Sequence, residues 1–413
     1  MTYVPTPLEH GPYAGFNDKN EPVERLSVVD APVSAFVFKT IVDPFVGKIS
    51  VMKVVTGKLN SGTEVYNERA GKAEKLGKLF FLRGKNQTEL NYAEAGDIVA
   101  VAKLQYTLSG DTLCDKNDII RYLPLDYPQP SYYIAIEAID KNDEDKMGTG
   151  LNKLREEDPS FVVERNTETR QTLLGGQGDI QLGVILAKLK DRFGVKVKTV
   201  PQKIAYRETI KGTSDVQGKH KKQSGGAGQY GDVHIRFSPS EKEFEFSEEL
   251  FGGSVPKNYV PAVECMDKGP LAGCKVVNVK AVFYDGSYHD VDSNEMAFKI
   301  AASLAFKKGI TEAKPCLLEP IMRLEIFVPD DYMGDVMGDM NKRRGKILGM
   351  EPLVDGGQKL LAEAPQAELF DYAIGLRAMT QARGSFTMKF EKYEEVPAHL
   401  SSKIIEAHKA DEA

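Results

Sequence analysis

The stretch Tyr284-Asp-Gly-Ser-Tyr-His-Asp-Val-Asp-Ser293 joins two readable elements, and the rest of the chain can be read outward from it. Before it, Val277, Val279, Ala281 and Phe283 alternate with period two, the pattern of a half-buried strand. After it, Met296, Ile300 and Leu304 recur at helical spacing and are expected to form the core-facing stripe of a helix. Asp292 is placed to cap that helix, and Glu295, three residues on, completes a capping-box-like pair. Lys307 and Lys308 suit the last turn, and Gly309 is expected to end it. The stretch itself holds one histidine, two tyrosines and three aspartates, with nothing obvious to bury them. A polar loop held on two rigid elements is suited to presenting side chains to a partner.

A second stretch has the same character: Gly218-Lys-His-Lys-Lys-Gln-Ser-Gly-Gly-Ala-Gly-Gln-Tyr-Gly231. Its last six residues match the G-x-G-x-x-G of dinucleotide-binding folds. That fingerprint needs a strand before it and a helix after it, so that the pyrophosphate sits on a helix N-terminus. Here a basic polar run precedes it, and Val233, Ile235 and Phe237 follow at period two, which reads as a strand. A glycine loop that bends sharply and lets its backbone approach RNA fits better. Lys219, Lys221 and Lys222, with His220, are candidate phosphate contacts, which position a partner without reading its sequence. Tyr230 and Tyr288 are candidates for stacking on unpaired bases. A weaker basic cluster, Lys342, Arg343 and Arg344, lies at another helix end, where cations also suit the dipole.

Chemistry on the chain itself is the less favoured reading. His289 has Asp290, Asp292, Ser287 and Ser293 close in sequence, but neither serine sits in a G-x-S-x-G elbow. No G-x-x-x-x-G-K-[ST] occurs, so 115–118 and 140–143, both Asp-Lys-Asn-Asp, read as turns rather than as a guanine-reading motif. His10, His220, His234, His399 and His408 show no metal-ligand spacing, and no metal site is expected. Cys114, Cys265, Cys274 and Cys316 are scattered, with no Cys-x-x-Cys, and are expected as mostly buried thiols in the cytoplasm.

A length of 413 residues implies several domains, and 41% hydrophobic residues is ordinary for a soluble protein. The net charge of −6 argues against a general nucleic-acid binder, so any RNA contact must be local. No apolar run approaches the roughly 18 residues that a membrane span needs, and the N-terminus has no signal-peptide pattern.

Residues 1–30, rich in Pro, Gly, Asn and Asp, read as a linker or remnant. From 31 to 127, short apolar segments at 34–40, 49–56, 63–67, 74–82 and 97–103 alternate with glycine turns, which predicts a small β-barrel. Residues 128–204 carry helical patterns at 143–157 and 179–193 between strand patterns at 132–137, 161–164, 172–174 and 195–200. This βαββαβ order is the ferredoxin-like arrangement. The order returns at 320–397, with strands at 322–328, 347–350, 359–364 and 385–390 and helices at 331–343 and 366–379. Between them, 205–319 holds both unusual loops in an α+β domain, and 398–413 adds a short polar helix and tail. The fold class expected is therefore multi-domain α+β: a small β-barrel, then two ferredoxin-like domains flanking an α+β domain.

Several long motifs in chain order resemble translation elongation factor G without its GTPase domain. Ala35-Phe-Val-Phe-Lys39, Asp43-Pro-Phe-Val-Gly-Lys48, Ala93-Glu-Ala-Gly-Asp-Ile98 and Ser109-Gly-Asp-Thr-Leu-Cys114 resemble the family's second domain. Glu156-Glu-Asp-Pro-Ser-Phe161 and Ala205-Tyr-Arg-Glu-Thr209 bracket the third. The fourth is marked by Gln223-Ser-Gly-Gly-Ala-Gly-Gln-Tyr-Gly231, Pro261-Ala-Val-Glu264 and Asp285-Gly-Ser-Tyr-His-Asp-Val-Asp-Ser293. Tyr332-Met-Gly-Asp335, Asn341-Lys-Arg-Arg-Gly345 and Arg383-Gly-Ser-Phe386 mark the fifth.

The resemblance implies that the 205–319 domain has a ribosomal-protein-S5-like fold and is the tip that enters the decoding centre of the small ribosomal subunit. Two loops would contact the tRNA–mRNA region. One comprises Lys219, Lys221, Lys222, Gln223, Ser224, Gly225, Gly226, Gly228, Gln229 and Tyr230; the other comprises Ser287, Tyr288, His289, Asp290 and Val291. Lys342, Arg343 and Arg344 would face large-subunit rRNA. The implied role is tRNA–mRNA translocation by a cytoplasmic monomer that contacts both subunits, with no catalytic residue on this chain. GTP and Mg²⁺ would bind only to the absent GTPase domain, of which 1–30 would be the trailing linker. The chain departs from the family at Gly178-Asp-Ile-Gln-Leu182, at Ala227 where many members carry arginine, and in the short segment around Glu264-Cys265. These departures keep open a paralogue for ribosome recycling or ribosomal protection, or a free-standing non-GTPase ribosome-binding protein.

Overall fold

A computed structural model describes residues 5–43, 46–84, 86–223, 228–264, 268–354 and 356–412. The chain divides into two units, Met1–Gln202 and Lys203–Ala413.

In the first unit, an eight-stranded antiparallel sheet runs in the order Lys72–Lys75, Glu64–Asn67, Thr112–Cys114, Ser34–Asp43, Gly47–Thr56, Ile98–Ala102, Leu79–Arg83 and Asn86–Leu90. Val65 and Leu79, from strands near opposite ends of that order, lie in one buried cluster with Val37, Met52 and Val101, so the sheet is rolled into a barrel. The apolar run at 74–82 is not one strand. It breaks at 76–78, where Leu76 turns into the core and its N–H bonds the Thr63 carbonyl, and the chain resumes at Leu79–Arg83. Part of the segment expected to be linker is also strand. Tyr13–Phe16 pairs with Pro22–Arg25 and with Arg121–Tyr122. Tyr13 and Val23 pack on buried Val55, Ile120 and Tyr122, and Arg25 forks onto both Asp118 oxygens at 2.5 and 2.6 Å. Of the two Asp-Lys-Asn-Asp segments, 115–118 is a turn, whereas Lys141–Asp143 is a short 3-10 helix that leads into the next helix; in each, the first aspartate side chain accepts the N–H two residues on.

The rest of this unit has four antiparallel strands in the order Val162–Asn166, Gln171–Gly176, Tyr132–Ala138 and Val197–Val200. Helices Glu144–Glu157 and Asp179–Phe193 bury Leu151, Leu154, Ile185 and Leu189 beneath them, as ferredoxin-like order requires.

The second unit repeats the arrangement with Lys346–Leu353, Gly357–Pro365, Pro315–Val328 and Ser385–Glu395, plus helices Met333–Lys342 and Tyr372–Met379. The strand Pro315–Val328 is long enough to belong to two neighbourhoods. Its first residues pair with Arg207–Ile210, and its remainder with the ferredoxin-like strands. The C-terminal helix Ala398–Glu412 is more than a polar tail, since Leu400, Ile404 and Ile405 pack with Tyr206, Ala272 and Leu317.

A separate four-stranded sheet orders Ser214–Lys222, Gln229–Pro239, Val279–Ser287 and Phe244–Glu248. Helix Glu295–Glu312 lies across one face and buries Ala297, Phe298, Ala301, Ala305 and Phe306. This corrects the expected stripe: Met296 and Leu304 are 59% and 47% exposed. The core face sets alanines among Phe298, Phe306 and Ile310, and at Ala297 and Ala301 the helix backbone approaches the sheet closely. A Cβ on Gly218 would lie 2.1 Å from the Ala301 carbonyl oxygen, and one on Gly231 would lie 2.6 Å from that of Ala297. Gly309 does not end the helix. It lies inside it, against the Phe237 ring, and the helix continues to Glu312. The cap is also different: Asn294, not Asp292, accepts the Ala297 N–H at 2.9 Å.

Candidate functional site

The two unusual stretches meet at one end of the four-stranded sheet. The first is a hairpin in which Lys221 opposes Tyr230 and Lys222 opposes Gln229. Ser224, Gly225 and Gly226, together with Ala227, lie outside the described residues. The second begins later than its composition suggests. Tyr284 to Ser287 still belong to the strand, where the Tyr284 hydroxyl donates to Asp215 at 2.7 Å and its ring lies 4.0 Å from the Arg236 guanidinium. The connecting loop is 288–294.

Hydrogen bonds join the stretches. Asp292 accepts the Gly228 N–H through Oδ1 at 2.9 Å, and its carbonyl accepts the Tyr230 N–H at 2.9 Å. The Ser293 hydroxyl donates to the Tyr230 carbonyl at 2.9 Å, and the hydroxyls of Tyr230 and Ser287 pair at 2.8 Å. Ser287 also donates to Asp232, a carboxylate only 6% exposed, which accepts from the Gln217 amide and lies 3.8 Å from the Lys219 ammonium. Polar groups this buried are stable only when partnered, so the set holds the strands of the tip in register.

Strand register puts Lys219, Lys221, Tyr230 and Ser287 on the face away from the helix, with the Lys219 ammonium 5.5 Å from the Tyr230 ring centre. Lys221, Lys222 and Gln223 are exposed at the hairpin tip, as are Tyr288, His289, Asp290 and Val291 in the loop, with Val291 at 74%. Gln229 pairs its side-chain oxygen with His220 at 2.9 Å. His289 donates its backbone N–H to Ser293, and its Nδ1 is addressed by the N–H groups of Val291 and Asp292 at 3.4 and 3.3 Å. Its ring meets backbone N–H groups, Asp292 and, at 6.5 Å between centres, the Tyr230 ring, whereas Ser287 and Ser293 spend their hydroxyls on Asp232 and the Tyr230 carbonyl. The nucleophile–base pair of a triad is thus not assembled around His289 among the described residues.

Asp292, Ser293, Asp232 and Gln217 were not among the contact residues read from sequence, yet they join the two loops. In the sequence Asp292 reads as a helix cap and as a triad neighbour of His289, and Ser293 as a candidate nucleophile; neither reading points to a bridge between the loops.

The second basic cluster is differently placed. Arg343 is engaged by Asp339 at 2.7 Å, by Asp371 at 2.6 Å and by the Glu368 carbonyl. Arg344 forks onto Glu319, whose side chain is only 4% exposed, and also meets Glu368. Lys342 is exposed.

Comparison with known proteins covers most of this architecture. Family descriptions match in chain order: "Elongation factor G domain 2" over 32–116, "Elongation Factor G, domain III" over 127–201, "Elongation factor G, domain IV" over 201–314 and "Elongation factor G C-terminus" over 316–404. A crystal structure of a protein from Thermus thermophilus superposes with a TM-score of 0.80 at 40% sequence identity, over 92% of this chain and 58% of that one. The tip lies within the domain IV match. These are the domains of a translation factor. The chain belongs to the elongation factor G family, and none of its four domain matches is to a GTPase domain. Among the described residues no helix is long and apolar enough to cross a membrane.

Proposed function

We propose that this chain is the ribosome-binding portion of an elongation factor G-type factor that promotes tRNA–mRNA translocation in the cytoplasm. The 205–319 domain enters the decoding centre, the hairpin and the His289 loop meet tRNA and mRNA, and the other domains rest on rRNA of both subunits. GTP hydrolysis belongs to a GTPase domain outside the chain, so the chain alone turns over no GTP. The supporting observation is the convergence of the two stretches: ammonium groups, an aromatic ring and an imidazole share one edge of a stiff sheet-and-helix body. Lysines that meet phosphate release counterions, so binding should weaken steeply with salt.

The test is co-sedimentation of the 413-residue chain with ribosomes across a salt series. The expected result is binding at low salt that is lost at high salt. Absence of binding at every salt concentration, or GTP turnover by the chain alone, overturns the reading.

A further inference from the structure

Two backbone N–H groups, those of Val291 and Asp292, converge on Nδ1 of His289. A hydrogen on Nδ1 would point into both of them, so this nitrogen must offer its lone pair when the ring is neutral. The Asp292 carboxylate works the other way, but it lies farther from Nδ1 than either N–H donor. Its Oδ2 is 3.5 Å from Nδ1, and its other oxygen is committed to the Gly228 N–H. The ring proton of neutral His289 therefore sits on Nε2. Protonating the ring would leave that proton in place. The side chain is 57% exposed, and its backbone is tied by the Ser293 hydroxyl on one side and the Ser293 N–H on the other.

We infer that His289 presents Nε2–H as a fixed hydrogen-bond donor, and that it recognises an acceptor oxygen on RNA rather than a donor group. The partner assignment rests on the ribosome-binding reading above, whereas the tautomer does not. The turn closed by the Val291 and Asp292 amides sets which nitrogen faces outward, so the 288–294 loop selects the polarity of the contact as well as its position. Phosphate oxygens, ribose hydroxyls and base carbonyls all meet this requirement; an exocyclic amine does not.

Two measurements test this. The first is the ¹⁵N spectrum of the histidine rings in the full chain, at a pH where they are neutral, with His289→Gln used to assign the signal. A protonated-type Nε2 and an unprotonated-type Nδ1 are expected, and the reverse pattern overturns the inference. The second is ribosome co-sedimentation at low salt. His289→Ala is expected to lose about tenfold in affinity, the worth of one good hydrogen bond of ~1.4 kcal/mol. His289→Gln, whose amide nitrogen reaches the Nε2 position, should recover most of that loss, and His289→Asn, which reaches only the Nδ1 position, should not. Recovery by asparagine and not glutamine overturns the donor assignment. If the parent chain does not bind ribosomes at all, the ribosomal reading fails, while the ¹⁵N spectrum still decides the tautomer.

Discussion

Single residues set how closely the tip can be built. Gly218 faces the backbone of the overlying helix, and a methyl group there would meet the Ala301 carbonyl, so helix and sheet would have to part. Gly218→Ala should destabilise the chain by about 2–4 kcal/mol or prevent folding, by analogy with overpacked or strained core sites. Gly183→Ala is the opposite case: this glycine is exposed inside a helix and has open space at its Cβ. That change should stabilise by about 0.5–1 kcal/mol. Urea denaturation of the two variants checks both signs.

Ion pairs give a pH dependence at the same scale. Hydrogen bonding to Arg25 holds the Asp118 carboxyl below the usual range. For Glu157, burial works upward, but Arg192, the Val42 N–H and Lys188 outweigh it and hold the carboxyl low. Because both values are depressed on folding, their stabilisation is complete above the unfolded value of about 4 and is lost as pH falls through the folded value. The Tm should therefore drop on acidification below that range. Asp118→Asn and Glu157→Gln should lower the Tm at neutral pH and flatten the acid limb, as followed by calorimetry.

At the scale of elements, the hairpin and the His289 loop behave as one object because Asp292 and Ser293 bond across. Asp292→Ala removes the acceptor for the Gly228 N–H, a loss of about 1 kcal/mol. The expected consequence is faster hydrogen exchange at Gly228 and Tyr230, with exchange in the barrel strands unchanged. Equal protection in variant and parent would mean that the bridge does not hold the loops. The helix beneath them shows where pattern reading goes astray. Met296, Ile300 and Leu304 have core-like spacing, yet the buried face belongs to Ala297, Phe298, Ala301, Ala305, Phe306 and Ile310. Apolar spacing fits more than one face of this helix, and the face that meets the sheet is the one whose backbone at Ala297 and Ala301 lies close on Gly231 and Gly218. Likewise, the basic run 342–344 reads as three surface cations, but Arg343 and Arg344 meet carboxylates 24 to 28 residues away, a pairing that no local pattern displays.

For the whole molecule, affinity for ribosomes should follow the number of lysines on phosphate. Lys221→Ala and Lys222→Ala should each reduce the slope of log affinity against log salt by about 1. An unchanged slope in the double variant would remove these residues from the interface. The order of domains was legible because each has its own periodicity: short alternating strands in the barrel, and strands interleaved with two helices in each ferredoxin-like unit. Strand order in the barrel and in the four-stranded tip sheet was not. Nor was the extension of one sheet onto Arg207–Ile210, since the single strand Pro315–Val328 serves both neighbourhoods.

The sequence by itself determined the domain kinds, the two polar stretches and the turns, because turn chemistry and side-chain periodicity act over a few residues. Tertiary structure alone decided that those stretches touch, which glycines are packing glycines and which arginines are already paired. Tyr230 and Ser287 are 57 residues apart, and their hydroxyls meet only because the strand carrying Tyr230 pairs with both the hairpin strand before it and the strand that ends at Ser287. A shift of one residue in either pairing would turn Tyr230 or Ser287 to the opposite face, and that register is set by burial across the whole sheet rather than by any local run of residues.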